Sequence, residues 1–336
     1  KNQKGRLMNK RVIIIATSLI LAVMTMKAQT LTDVINEFNA GVESVNGQSY
    51  ETALTQFNNC LALCGVVGAE AEDMKRQSQE MIVKTHYSQA VTLIRRKQFD
   101  QALPFVENTI ALSEEYGVEE EKAQKSKGWL PSLYNREGNK LYKQEKFDEA
   151  ATTFDKVIEI QPNNYKAHQG KGLVYKSLGE IDNMLAEFNI AKEKAEAKND
   201  SEFISEINAA INDHFNSMIQ EELMMMDTEE PDYTFLIDIC EEALEANDQN
   251  GYACWQAATA YNKNIEYDTA IEYAEKGLSS ETDPQLMSAL YYELGLAYQG
   301  NVMYIEACEA YNKVTEEPFF SKAEKKMMTP QLGCTN

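Results

Sequence analysis

The feature that most constrains the fold of this chain is the spacing of small and aromatic residues within residues 131–164. Two stretches with apolar residues at helical spacing are separated by a polar break at residues 144–146. Gly138 and Ala150 stand where two helices must approach closely, because neither residue carries a bulky side chain. Phe154 follows Ala150 by four residues and therefore lies on the same helical face. The segment predicts two antiparallel helices joined by a short turn.

The same pattern recurs along most of the chain. Because one helix pair cannot bury its own apolar face, successive pairs must stack on each other. We therefore expect a single array over residues 29–328, followed by a frayed tail at residues 329–336. The predicted units lie near residues 34–67, 83–116, 131–164, 165–198, 202–250 (a divergent copy), 251–284 and 288–321, with a capping helix at 321–328.

This arrangement resembles the tetratricopeptide repeat (TPR) family. In residues 131–164 the signature places of its 34-residue repeat are filled by Tyr134, Gly138, Leu141, Ala150, Phe154 and Pro162. The resemblance implies an all-α, TPR-type α-solenoid, a right-handed superhelix of about seven antiparallel helix pairs. It also implies that the first helices of the pairs line a concave surface, along which such solenoids bind their partners.

The charge of the chain excludes one class of partner. The sequence holds 32 basic and 53 acidic residues, which gives a net charge of −21. Such a surface repels phosphate backbones, so we expect no nucleic-acid partner. With 16 glycines and 7 prolines in 336 residues, and no long alternation of apolar and polar residues, the composition favours an all-α protein.

The N-terminus has the pattern of a secretory signal peptide. A Lys–Arg pair precedes an apolar run over residues 12–26, which is followed by Lys27 and a small residue, Ala28. The run is shorter than the roughly 20 residues that a membrane-spanning helix needs. We expect translation to start at Met8 and cleavage to fall between Ala28 and Gln29. An uncleaved anchor is the alternative.

Cleavage at this place would remove residues 1–28 and leave no membrane contact beyond the signal peptide itself. The signal therefore predicts an exported protein of the periplasm or cell envelope of a Gram-negative-type bacterium.

The sequence offers no constellation of catalytic or metal-binding residues. Its three histidines lie far apart, and it contains neither a Cys/His metal spacing nor a glycine-rich phosphate loop. A lone histidine on a helix is more often structural or exposed than a ligand. We therefore expect no enzyme activity, no metal and no cofactor. The histidines are His86, His168 and His214.

The six cysteines need a separate interpretation, because an exported chain meets oxidising conditions. Cys60 and Cys64 lie four residues apart on one helix, a geometry that strains a disulfide. We expect buried thiols. Two pairs are alternatives as disulfides, and the second would staple the terminal cap: Cys240 with Cys254, and Cys308 with Cys334.

One segment departs from the acidic character of the chain. Residues 122–176 hold eleven basic and six acidic residues, net +5, whereas residues 201–336 hold six basic and 26 acidic residues, net −20. The first helices of the basic segment carry polar side chains near the expected concave surface. The candidate partner-binding residues are Asn135, Arg136, Asn139, Lys143, Lys166, Gln169 and Lys176.

The resemblance also implies a chemistry for these candidates. TPR domains of the chaperone-binding class hold the terminal carboxylate of a peptide with Lys, Arg and Asn at similar places. The chain departs from that clamp, because Asn135 stands at the place of a lysine, and Gly170 and Leu173 stand at polar places. We expect a looser site for an acidic or C-terminal peptide, with a merely solvated face as the alternative.

Three functions compete at this point. A protein–protein interaction scaffold that binds a peptide or protein on the concave face is favoured. A carbohydrate or small-ligand binding protein with a tyrosine-lined groove is the second, and an enzyme is the third. Met224, Met225 and Met226 predict core packing at a helix end, with an adaptable binding patch as the alternative.

Overall fold

The computed structural model describes residues 30–226, 229 and 231–334. The predicted signal peptide and its cleavage site, Ala28 and Gln29, lie outside these described residues. The described chain forms two compact units, of which one ends at Leu133 and the other begins at Tyr134.

The described residues form seven antiparallel helix pairs and a final helix, and none of them lies in a strand. This confirms the all-α repeat fold expected from the sequence. The helices of the first unit are α1 (Leu31–Asn46), α2 (Tyr50–Val67), α3 (Glu72–Arg95) and α4 (Phe99–Tyr116). Helix α5 (Glu120–Lys143) begins in the first unit and ends in the second. The other helices are α6 (Phe147–Ile160), α7 (Tyr165–Leu178), α8 (Ile181–Glu196), α9 (Ser201–Met225), α10 (Thr234–Ala246), α11 (Gly251–Lys263), α12 (Tyr267–Leu278), α13 (Pro284–Gly300), α14 (Tyr304–Tyr311) and α15 (Phe319–Met327).

The turns between paired helices share one backbone feature. In six pairs, the residue directly before the N-cap of the second helix has a positive φ, between 56° and 72°. This left-handed conformation reverses the chain within two or three residues, which brings the two helices together at once. The six residues are Gln48, Lys97, Glu145, Gly179, Ile265 and Val302.

Four of the pairs are closed by a ring that lies on a glycine. The ring comes from the second helix, is fully buried, and leaves no room for a Cβ atom on the glycine of the first helix. A Cβ built on the glycine would lie 2.4 to 2.7 Å from the nearest ring atom, which is closer than real Cβ contacts allow. The four contacts are Phe57 on Gly41, Phe154 on Gly138, Phe188 on Gly172 and Tyr311 on Gly295.

The remaining pairs close with other small or aliphatic residues. Ala90 of α3 packs with Val106 of α4, and Ala258 of α11 packs with Ala274 of α12. In the divergent pair, Phe215 of α9 and its neighbours pack in one cluster with Leu236 of α10. The two helices of every pair therefore approach closely, as the sequence requires, but the residues at the contact differ from pair to pair.

The last helix covers the end of the array, close to the predicted cap at residues 321–328. Phe319 and Ala323 of α15 pack in one cluster with Tyr311 of α14 and with Leu332 of the C-terminal segment. A disulfide between Cys308 and Cys334, with Cα atoms 5.7 Å apart, ties that segment to α14. The disulfide that the sequence analysis gave as an alternative for this pair is therefore present. The other four cysteines are buried free thiols, so Cys240 and Cys254 form no disulfide with each other.

The ring-on-glycine contact predicts the effect of two substitutions in helix α5. This helix contains one glycine that lies under a ring, Gly138, and one with open space around it, Gly128. Gly138→Ala places a methyl group 2.7 Å from the Phe154 ring, whereas Gly128 is exposed with open space around it. We expect Gly138→Ala to lower the free energy of unfolding by about 1–3 kcal/mol, because the buried ring has to shift. Gly128→Ala should raise it by roughly 0.5–1 kcal/mol through helix propensity alone. Urea denaturation followed by circular dichroism measures both, and equal effects of the two changes would refute the packing account.

Candidate functional site

The candidate residues lie on helices α5 and α7, which run side by side. The side-chain amide of Asn135 donates to Asn164 Oδ1 at 3.4 Å, and Asn164 caps α7 by accepting from the backbone N–H of Ala167 at 3.2 Å. Further along, the hydroxyls of Tyr142 and Ser177 lie 3.1 Å apart. The first contact joins Asn135 of α5 to the start of α7, and the second joins the C-terminal end of α5 to the last turn of α7.

We call the polar side chains on one face of each of these two helices the donor stripe. On α5 its residues recur every four positions, and on α7 the two residues are three apart, so each set faces one side of its helix. Arg136 is exposed but lies one residue away from this spacing. The donor stripe consists of Asn135, Asn139 and Lys143 on α5 and of Lys166 and Gln169 on α7.

Lys176, the last of the seven candidates, differs from the exposed members of the stripe because its side chain is already bonded within the chain. Asn139, Lys143 and Lys166 are exposed, whereas Asn135 and Gln169 are half-buried. Lys176 is engaged by helix α9, because its Nζ atom donates to Asp213 Oδ2 at 2.5 Å and to the carbonyl of Ala210 at 3.2 Å. The five residues of the donor stripe thus lie on two neighbouring helices, whereas Lys176 holds the next helix.

A cleft of about 430 Å³ lies at the Lys166 end of the stripe. Two lysines, Lys166 and Lys198, line it together with the amide side chains of Gln161, Asn163 and Asn164, and none of its lining residues is acidic. Lysine and amide groups donate hydrogen bonds, so the cleft suits a carboxylate or another anion.

A larger cleft has the opposite character. It measures about 890 Å³ and is lined by four carboxylates, with asparagines and apolar side chains between them. An acidic peptide would be repelled there, which leaves the donor stripe and its cleft as the better place for a negative ligand. The four carboxylates belong to Glu180, Asp182, Glu242 and Glu245.

Beneath this surface lies a buried ionic network that the sequence did not predict. Glu187 of α8 accepts from Lys171 of α7 at 2.7 Å and contacts His168 Nδ1 at 2.7 Å. Lys171 also contacts Asp155 of α6 at 2.9 Å. The network therefore connects three successive helices, and Lys171, although basic and within the basic segment, is not available to a partner.

The protonation of this network follows from its contacts. Burial opposes the charge on Glu187, but the hydrogen bonds from His168 and Lys171 outweigh it and lower the pKa of the carboxyl below its ordinary value of 4.5. Burial likewise opposes the charge on Lys171, but Glu187 and Asp155 raise the pKa of the amine to about 12. The ion pair is thus charged throughout the neutral range.

The other two histidines are poor candidates for chemistry. Burial lowers the pKa of His86 to about 4. Burial lowers the pKa of His214 as well, and the nearby Lys176 adds to this shift. Both imidazoles are therefore neutral near pH 7. Within the described ranges, no three His, Cys, Asp or Glu side chains group so as to hold a metal ion.

The methionines at the end of α9 do not pack as predicted. Met224 is 82% exposed and Met225 is 74% exposed, so the interpretation as core residues is wrong for both. Met226 is partly buried against the cluster of α9 and α10. In the part of the chain that the structure describes, no helix is long and apolar enough to cross a membrane.

Comparisons with known proteins support the repeat assignment. Residues 138–179 match the family model described as TPR repeat. No significant match is found among curated protein sequences.

Solved structures of low identity also match. MamA protein is 20% identical over 62% of this chain and 100% of its own, with a TM-score of 0.30. YrrB, described as a TPR protein with an unusual peptide-binding site, is 16% identical over 58% of this chain and 91% of its own, with a TM-score of 0.30. The TPR2AB domain of yeast Sti1, in a pHSP90 complex, is 12% identical over 91% of this chain and 100% of its own, with a TM-score of 0.32.

The buried network makes a prediction about stability. Lys171→Met leaves Glu187 buried with only His168 as partner, so we expect the free energy of unfolding at pH 7 to fall by about 1–3 kcal/mol. Because the folded-state pKa of Glu187 is depressed, its stabilisation is present above the ordinary value of 4.5 and is lost as the pH falls through the folded-state value. The difference between wild type and Lys171→Met should therefore shrink at pH 3.

Urea denaturation at the two pH values measures this difference. The control is Lys146→Met, which removes an exposed lysine from a turn and should change stability by less than about 0.5 kcal/mol. A Lys171→Met effect no larger than this control would show that the network does not stabilise the fold.

Proposed function

Since this chain carries repeats of the tetratricopeptide family, we propose that it is a non-enzymatic scaffold that binds another protein through the donor stripe of α5 and α7. The observation that carries the proposal is that exposed Asn139 and Lys143 lie on α5 and exposed Lys166 lies on α7, two neighbouring helices, and that Lys166 lines a cleft without acidic lining residues. The bound segment would be acidic or would end in a free carboxylate.

The dimensions of the stripe suit a short extended segment. Asn135 and Lys143 are eight residues apart on one helix, a distance of about 12 Å at 1.5 Å per residue. An extended chain covers that distance with about four residues. A carboxylate at one end of such a segment would reach the Lys166 cleft, while the amides of Asn135 and Asn139 would face its backbone.

The distribution of charge favours this place over the rest of the second unit. Residues 201–336 carry a net charge of −20, whereas the stripe lies in the segment of net charge +5. An acidic segment is therefore attracted to α5 and α7 and repelled by the helices that follow.

The competing functions find less support. Three of the tyrosines that could line a glycan-binding groove use their hydroxyls in internal hydrogen bonds: Tyr261 and Tyr273 both donate to Glu241, and Tyr298 donates to Glu275. For catalysis, His168, Lys171 and Glu187 are engaged in the ionic network, and His86 and His214 are neutral near pH 7. We keep the scaffold as the proposed function.

The binding proposal predicts the effect of reversing two charges. Peptides selected from a random display library against the wild-type chain should be enriched in Asp, Glu or free C-terminal carboxylates. Lys143→Glu with Lys166→Glu should weaken their binding more than tenfold, because each charged hydrogen bond contributes roughly 1.5–3 kcal/mol. Fluorescence anisotropy of a labelled selected peptide measures the affinity.

The matched control makes the same charge change elsewhere. Lys146→Glu with Lys325→Glu alters two exposed lysines that lie outside the stripe. Equal losses in the two double variants would mean that net charge, not the donor stripe, governs binding.

We also propose that the protein is exported. The sequence of residues 1–28 supports this proposal, and so does the Cys308–Cys334 disulfide, since disulfides persist in oxidising compartments. The protein isolated from its native cells should begin at Gln29 and should present four alkylatable thiols after denaturation without reductant. N-terminal sequencing and intact mass measure both, and a chain that retains Met8 would contradict export by cleavage.

A further inference from the structure

Two turns of the second unit combine backbone strain with exposed apolar side chains. Of the six equivalent turn residues with positive φ, the first four in sequence are Gln48, Lys97, Glu145 and Gly179, which are polar or lack a side chain. The last two are β-branched: Ile265 with φ of 66° and Val302 with φ of 63°. A β-branched residue in this region is a genuine outlier, because its Cβ substituents crowd the backbone.

Packing within the chain does not compensate for this strain. Ile265 is 71% exposed and Val302 is 65% exposed, so neither side chain gains much by burial. The fold requires a left-handed residue at each of these turns but not a β-branched one, and strained backbone of this kind is a feature of functional positions. A glycine or asparagine would form either turn more easily, yet both places hold an aliphatic side chain directed largely to solvent.

The two turns lie next to each other and form one surface. The side-chain amide of Asn301 donates to Asp268 Oδ1 at 2.6 Å, and the ring of Tyr267 lies on Gly300, where a Cβ would be 2.4 Å from the ring. Next to Val302 follow Met303 and Ile305, of which Ile305 is 74% exposed. We call this surface the turn patch; it consists of Ile265, Val302, Met303 and Ile305.

The charge around the turn patch restricts what can cover it. Residues 263–268 and 300–309 carry four acidic side chains and one basic side chain, Lys263. An anionic lipid surface or a second acidic protein surface would be repelled by this rim. A segment with aliphatic residues on one face and lysines or arginines around them would match both the patch and its rim. The four acidic residues are Glu266, Asp268, Glu306 and Glu309.

We propose that the turn patch docks a partner protein through a cationic amphipathic segment. This surface is separate from the donor stripe, whose ligand is expected to be acidic. The two proposals therefore fail independently, because the substitutions that test one leave the other surface unchanged.

The test uses the whole chain and a synthetic amphipathic peptide of lysine and leucine as the probe. Ile265→Asn with Val302→Asn removes the aliphatic side chains without any change of charge, and asparagine tolerates positive φ. We expect this double variant to bind the probe at least tenfold more weakly by fluorescence anisotropy. Its urea midpoint should also rise, because the strain is relieved. The control, Val66→Asn with Ile160→Asn, removes two exposed aliphatic side chains elsewhere and should leave the affinity unchanged.

Several results would overturn the proposal. One is an affinity that is equal in wild type and in the Ile265→Asn, Val302→Asn variant. Another is equally tight binding of a peptide with glutamate in place of lysine, and a third is an unchanged or lower urea midpoint. Co-sedimentation of the wild type with phosphatidylcholine vesicles would identify a lipid surface as the occupant if the double variant no longer sedimented. Self-association in analytical ultracentrifugation would identify a second copy of the chain if the double variant were monomeric.

Discussion

The contact on which the rest of the structure depends is that of an aromatic ring with a glycine of the neighbouring helix. Phe154 shows why, because its ring lies on Gly138 of its own pair and also on Gly170 of the next pair. One buried side chain therefore sets the spacing within a pair and between pairs. Since interiors are close-packed, this distance cannot relax by much, and a small error at one repeat would pass to the next.

Fixed spacing makes polar contacts between successive first helices recur at nearly constant separation in sequence. Tyr142 of α5 meets Ser177 of α7 at a separation of 35 residues, and Lys176 of α7 donates to the carbonyl of Ala210 of α9 at a separation of 34 residues. The polar side chains of the first helices thus divide into two groups. Some, such as Lys176, hold the neighbouring helix, and only the others are available to a partner.

This division explains why the sequence predicts the pairing of the helices but not the contacts of their polar side chains. The pattern of Gly138, Ala150 and Phe154 predicts close helix pairs, because small and large residues at helical spacing have few other uses. Spacing along one helix cannot say which polar residue meets the next helix, since that depends on the rotation between repeats. The sequence therefore grouped Lys176 with Lys143, and it gave no sign that Lys171 would be buried against Glu187.

A repeat fold separates the residues that build it from the residues that can specialise. The buried ring and glycine positions are held by packing, whereas turn residues and exposed first-helix residues are free to differ between repeats. In this chain the exposed residues of different repeats differ in the sign of their charge. Basic donors gather on α5 and α7, and aliphatic turn residues with an acidic rim gather at α12 to α14. Under the two proposals, these surfaces have opposite electrostatic preferences, which favours two different partners over two copies of one.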